Sequence, residues 1–123
     1  MTSNELVLSL RKTIITDNIE YYKDVFENTK PEMIKDRLFF RIYSLYQSLS
    51  QEQRSTVIEL VRQVQVDTLS NFLGILDGSS TLSGYKGDFL LAYYENEPQN
   101  IQNNLAGDLQ DIFLEIEEEG RVE

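Results

Sequence analysis

Residues 50–78, SQEQRSTVIELVRQVQVDTLSNFLGILDG, constrain the fold more than any other stretch. They predict one long amphipathic helix with its own start and stop. Ser50 and Gln53 have capping-box spacing, in which the hydroxyl accepts one free N–H and the amide oxygen accepts another. Val57, Ile58, Val61, Val64, Leu69, Phe72, Leu73 and Leu76 then share one broad arc at helical pitch. Glu59, Gln63, Ser70 and Asp77 fall outside it, and Asp77-Gly78 supplies the stop. Such a helix is roughly 40 Å long and can span a small domain.

On either side of it the chain predicts further helices. Residues 4–28 carry two apolar stripes, Val7, Leu10 and Ile14, then Ile15, Ile19, Tyr22 and Phe26, slightly out of phase near Thr16-Asp17. That slip fits either a bend or a second helix capped by Asp17 with Glu20. Lys30-Pro31 ends the segment, and Pro31 suits the first turn of the next helix. There Ile34, Leu38, Ile42, Leu45 and Leu49 form a stripe widened by Phe39, Tyr43 and Tyr46. The short link at Ser50 makes residues 31–77 a predicted αα-hairpin.

Residues 77–88, DGSSTLSGYKGD, are turn chemistry, and the apolar run 89–94, FLLAYY, follows them. Its length favours a strand, with residues 81–85 as its partner across Lys86-Gly87-Asp88. A polar connection from Pro98 to Asn104 leads to a last helix striped by Leu105, Leu109, Ile112 and Ile116, capped by Asn103 or Asn104. The expected fold is therefore mainly α. It is a small bundle of three or four helices around the long central one, with a two-stranded β-hairpin before the last helix, all in a single domain of residues 1–123.

Composition narrows the chemistry. A chain of 123 residues with 41% apolar side chains can bury a core without staples. It has no cysteine and no histidine, which removes disulfides, thiolate zinc sites, cysteine nucleophiles and histidine-based triads. No run of about 18 apolar residues exists to span a bilayer. The N-terminus, MTSNELVLSL, has no basic region before its apolar residues, so the expected location is cytoplasmic. No cofactor is expected.

The net charge of −10 is unevenly placed. Residues 1–94 carry 12 acids and 10 bases, whereas residues 95–123 carry 9 acids and only Arg121. Nucleic-acid binding is disfavoured, because it needs clustered Lys and Arg. Asp108, Asp111, Glu115, Glu118 and Glu119 recur at helical spacing on one flank of the last helix, beside its apolar stripe. They are the candidate partner-binding residues, for a basic protein. The run Glu117-Glu118-Glu119 opposes the helix dipole at the cost of tenths of a kcal/mol, which a solvated tail tolerates.

Other motifs are weaker. Residues 77–88 offer Asp77, Ser79, Thr81 and Asp88 at calcium-loop positions, but Leu82 replaces the required glycine. The same loop lacks phosphate-loop spacing. Ser9 and Lys12 match S-x-x-K without its companion motifs. Arg37 and Arg41 with Glu32 and Asp36 read as helix surface pairs. Adjacent tyrosines, Tyr21-Tyr22 and Tyr93-Tyr94, cannot both face one core, so one of each belongs near the surface.

Three functions are compatible with these residues. The favoured one is a non-enzymatic acidic interaction module, such as a bacterial inhibitor or immunity-type protein that masks a basic partner. The second is a structural homo-oligomer that buries the face of residues 57–76 against another copy. The third is a carboxylate-dependent metal enzyme using Glu59, Asp67, Asp111 and Glu115.

Overall fold

A computed structural model describes residues 1–96 and 103–122, with side chains through Gly120. Its helices are α1 (Ser3–Leu10), α2 (Asp17–Asn28), α3 (Arg37–Ser48), α4 (Gln51–Asp77) and α5 (Leu109–Val122). The mainly α expectation holds. Two compact units emerge, Met1–Lys12 with Val66–Glu123, and Thr13–Gln65.

The chain enters through a capping box not foreseen in the sequence, with Thr2 accepting from Glu5 N and Glu5 accepting from Thr2 N. The phase slip between the two stripes falls on a π turn, and Asp17 is the first residue of α2 rather than its cap. Residues Arg11–Thr16 wind as a π-helix that joins α1 directly to α2, and Thr16 makes no side-chain cap. Wider π turns rotate the side chains less per residue, so the apolar spacing changes phase at this turn. Ile15 on this π turn is almost completely buried.

In the unit Thr13–Gln65, α2, α3 and the first part of α4 share an aromatic core. Ile19, Phe26, Tyr46 and Ile58 are buried, with Phe39, Tyr43, Val57 and Val61 packed around them. Phe26 stacks on Tyr46 with ring centroids 4.5 Å apart and on Phe39 at 6.3 Å. The two sides of the predicted αα-hairpin thus meet in one cluster. Pro31, however, opens a separate 3-10 turn, Pro31–Met33, rather than α3. The chain is extended at Ile34 and α3 starts afresh at Asp36, whose carboxylate accepts from Phe39 N at 2.7 Å. With Glu32 outside the helix and Asp36 used as a cap, the expected pairs with Arg37 and Arg41 do not form among the described residues.

Helix α4 follows after Leu49 and Ser50, and its Ser50–Gln53 capping box forms as read. Arg54, one turn in, donates to the carbonyls of Tyr46 and Gln47 and lies over the Tyr46 ring at 5.3 Å. It therefore satisfies the open carbonyl end of α3 while covering the core aromatic. At the other end, Gly78 takes a φ of 81° and the N–H groups of Gly78 and Ser79 bond the carbonyls of Ile75 and Gly74. This is a Schellman stop, which needs a residue without Cβ strain at positive φ.

The unit Met1–Lys12 with Val66–Glu123 buries Val7 on α1, Val66, Leu69 and Leu73 on α4, and Leu109 and Phe113 on α5. Helices α1 and α5 pack on each other. The expected β-hairpin is absent, and no strand forms among the described residues. Residues 81–85 fold into a turn closed by Tyr85 N to Leu82 O at 3.0 Å, with Gly84 at a φ of 86°, so they offer no extended edge. The backbone of residues 89–91 is satisfied instead by a single side chain and its neighbour. Asn104 accepts from Leu91 N and donates to Phe89 O, and Leu105 N donates to Leu91 O. Most of the connection from Pro98 lies outside the described residues.

Candidate functional site

Helix α5 carries the predicted site and is fixed to its unit from both ends. Its start is capped by neither Asn103 nor Asn104. Leu105 precedes the helix, which begins at Leu109, and Asn104 is committed to residues 89–91. Asp77, from the end of α4, reaches across to do the capping. Its Oδ1 accepts from Gly107 N at 2.6 Å and Leu109 N at 3.1 Å, and its Oδ2 accepts from Gln110 N at 2.8 Å. A carboxylate on three N–H groups at a helix start is favoured by charge-assisted bonding and by the helix dipole. The same commitment turns Asp77 away from any calcium-loop role.

Gln110 extends this joint. Its amide donates to buried Ser70 on α4, and its oxygen accepts from Ser79. Gly74 makes room for it, because a Cβ there would lie 2.8 Å from Gln110 Oε1. One turn further, Leu109 and Phe113 are fully buried, and Glu117 continues their row. Glu117 is only 5% exposed and its Oε1 meets Arg11 Nε at 2.7 Å. Arg11 sits where α1 passes into the π turn, so this ion pair ties α5 to that junction. Removing one partner of a buried ion pair is destabilising.

The burial of Glu117 corrects its reading as part of a solvated tail. Its signal in the sequence was the i, i+4, i+8 series Leu109, Phe113, Glu117. This row, rather than Leu109, Ile112 and Ile116, is the buried face. The acids accordingly lie opposite the buried face, not beside it. At helical pitch Asp108, Asp111, Glu115, Glu118 and Glu119 fall within an arc of roughly 100°. All five are exposed, and no ion pair neutralises any of them among the described residues. Leu114 borders the arc and is 44% exposed.

The acids nominated for a metal site are not brought together. Glu59 lies in the unit Thr13–Gln65, whereas Asp67, Asp111 and Glu115 belong to the other unit, on α4 and α5. Among the described residues no three carboxylates form a group able to hold a metal ion.

Two further surface features stand out. Residues 78–89 with Ile75 enclose an open cavity of about 630 Å³, walled by Leu82, Tyr85 and Phe89 and carrying Lys86 and Asp88. Beyond it Tyr93 and Tyr94 are both exposed, as are Tyr21 and Tyr22, so neither adjacent pair places a ring in the core. The Tyr93 hydroxyl donates to Glu95 at 3.1 Å, and that bond, then the carboxylate's charge, raises the phenol's pKa.

Among the described residues no helix is long and apolar enough to cross a membrane. No protein family, no curated protein and no solved structure matches this chain.

Proposed function

We propose that the chain is a non-enzymatic protein-interaction module in which the outer face of α5 docks a basic protein. The observation that carries this reading is the row Asp108, Asp111, Glu115, Glu118 and Glu119: five exposed carboxylates on one arc, with no ion pair to any of them among the described residues. Such a row repels itself by tenths of a kcal/mol per pair and attracts a cationic surface. The helix beneath it is held by Asp77, Phe113 and the Arg11–Glu117 pair, so the charges are presented by a pre-organised support. Pre-organisation lowers the ordering cost of association. The concrete form we favour is a small cytoplasmic bacterial inhibitor or immunity-type protein that masks its partner.

The test is capture of partners from lysate of the native organism, eluted with salt and identified by mass spectrometry. A stoichiometric basic partner released by moderate salt is the expected result. Asp111→Lys with Glu115→Lys then weakens capture while leaving helicity unchanged, because both side chains are exposed. Capture that is indifferent to this double charge reversal refutes the acidic-face reading. Truncation at residue 117 is not an equivalent test, since it also removes the buried partner of Arg11.

A further inference from the structure

The loop that follows α4 encloses a cavity lying wholly within one unit, Met1–Lys12 with Val66–Glu123. Residues 78–89 contain no helix or strand, and long loops without regular structure are commonly functional. Both ends of this one are pinned. The N–H groups of Ser79 and Ser80 donate to Gly74 O, and Asn104 donates to Phe89 O. Between them, the turn closed by Tyr85 N on Leu82 O is set by Gly84 at positive φ. The enclosed space, about 630 Å³, falls within the roughly 300–1,000 Å³ typical of small-ligand sites.

The lining joins an apolar wall to two opposite charges. Ile75, Leu82, Tyr85 and Phe89 supply the wall, and the last three remain exposed. Lys86 and Asp88 add one charge of each sign, two residues apart. Neither side chain makes an ion pair or hydrogen bond among the described residues, with the other or with any neighbour. Gly87 between them adds no side chain, and a Cβ built there would meet nothing within 4 Å.

We propose that this cavity binds a free α-amino acid with a large apolar side chain, its carboxylate on Lys86, its ammonium on Asp88 and its side chain against Leu82, Tyr85 and Phe89. Three features select this ligand. A lone carboxylate or a lone amine leaves one of the two protein charges unanswered, whereas a zwitterion forms a charge-assisted bond with each. An anion is also opposed by a chain of net charge −10, which a ligand of no net charge does not feel. Finally, the α-carbon holds both ligand charges together, which suits partners two residues apart. In a peptide the terminal charges separate by about 3.5 Å for each added residue. The apolar wall then favours a large side chain over glycine through the area it removes from water.

The experiment is a titration of the isotope-labelled full chain with L-phenylalanine, followed by amide chemical shifts. The expected result is saturable shifts centred on residues 78–89, with a dissociation constant on the order of 1 mM or tighter. Phenylpropionate lacks the ammonium, phenethylamine lacks the carboxylate and glycine lacks the apolar side chain. Each binds at least about tenfold more weakly. Lys86→Met weakens L-phenylalanine about tenfold and leaves phenethylamine unchanged, while Asp88→Asn does the same and leaves phenylpropionate unchanged. Both positions are exposed, so the fold survives, and Lys23→Met on α2 is the neutral control. Should a variant unfold, the ligand series on the unsubstituted chain decides by itself. No saturable shift up to about 20 mM ligand overturns the proposal. So do shifts centred elsewhere, an equal response to phenylpropionate, phenethylamine or glycine, or indifference to either charge substitution. Charge reversal of Asp111 and Glu115 on α5 leaves this binding unchanged, so the inference and the acidic-face reading fail separately.

Discussion

The two units of this chain are held together by different physics. In Met1–Lys12 with Val66–Glu123, the segments are far apart in sequence and are joined at polar points. Asp77 meets three N–H groups, Gln110 meets Ser70, Arg11 meets Glu117, and Asn104 meets residues 89 and 91. In Thr13–Gln65 the elements are near neighbours in sequence and meet through stacked rings around Phe26. The first unit has a few completely buried side chains and exacting hydrogen-bond geometry. The second has a thin aromatic core and apolar rows left in water. The difference teaches that similar helical patterns can be closed in two ways: by specific polar joints, or by apolar area that is still unspent.

Substitutions can break this contrast, and the largest effect belongs to the first unit's packed centre. Phe113 has no exposed surface, so Phe113→Ala should cost about 3–5 kcal/mol in urea unfolding, from lost burial and the cavity left behind. A loss below about 1 kcal/mol would mean that the site collapses freely and that packing there is not specific. Next comes the polar joint. Asp77→Ala strands three N–H groups at the start of α5 and should cost about 2–3 kcal/mol. Faster amide exchange in residues 107–113 than elsewhere would locate the loss at the joint, whereas uniform change would argue against its local role. The smallest effect is in the second unit. Arg54→Ala removes the carbonyl contacts at the end of α3 and the cation over Tyr46, at about 1 kcal/mol in the same unfolding assay. An effect as large as that of Asp77→Ala would erase the distinction between the two kinds of closure.

Much of the helical layout was legible because its signals are local. The Ser50–Gln53 box and the Asp77-Gly78 stop lie within a few residues of the groups they satisfy, and both form as read. The stripes of α2 and α3 named the core residues Ile19, Phe26 and Tyr46 for the same reason. Errors arose where the partner is distant. A strand was expected at residues 89–94 on apolar length, but a strand exists only if another edge runs beside it, and here one asparagine stands in for that edge. The start of α5 was assigned to a nearby asparagine, while its actual cap comes from Asp77, 32 residues before Leu109. For the candidate site, the five exposed acids were readable from spacing, but their position opposite the buried face was not. Locating that face required knowing that Phe113 and Glu117 point inward.

The sequence by itself determined that this chain is mainly helical, where α4 starts and stops, and that its acidity is concentrated after residue 94. Each of these follows from neighbours along the chain, through pitch, capping and charge. Only the tertiary structure decided that Asp77 caps α5, that Glu117 is buried against Arg11, and that Leu38, Ile42 and Leu45 remain in water. An aspartate at a helix end, a glutamate in an acidic run and a leucine in an apolar stripe each satisfy local rules in more than one setting. Which setting applies depends on the groups that folding brings beside them.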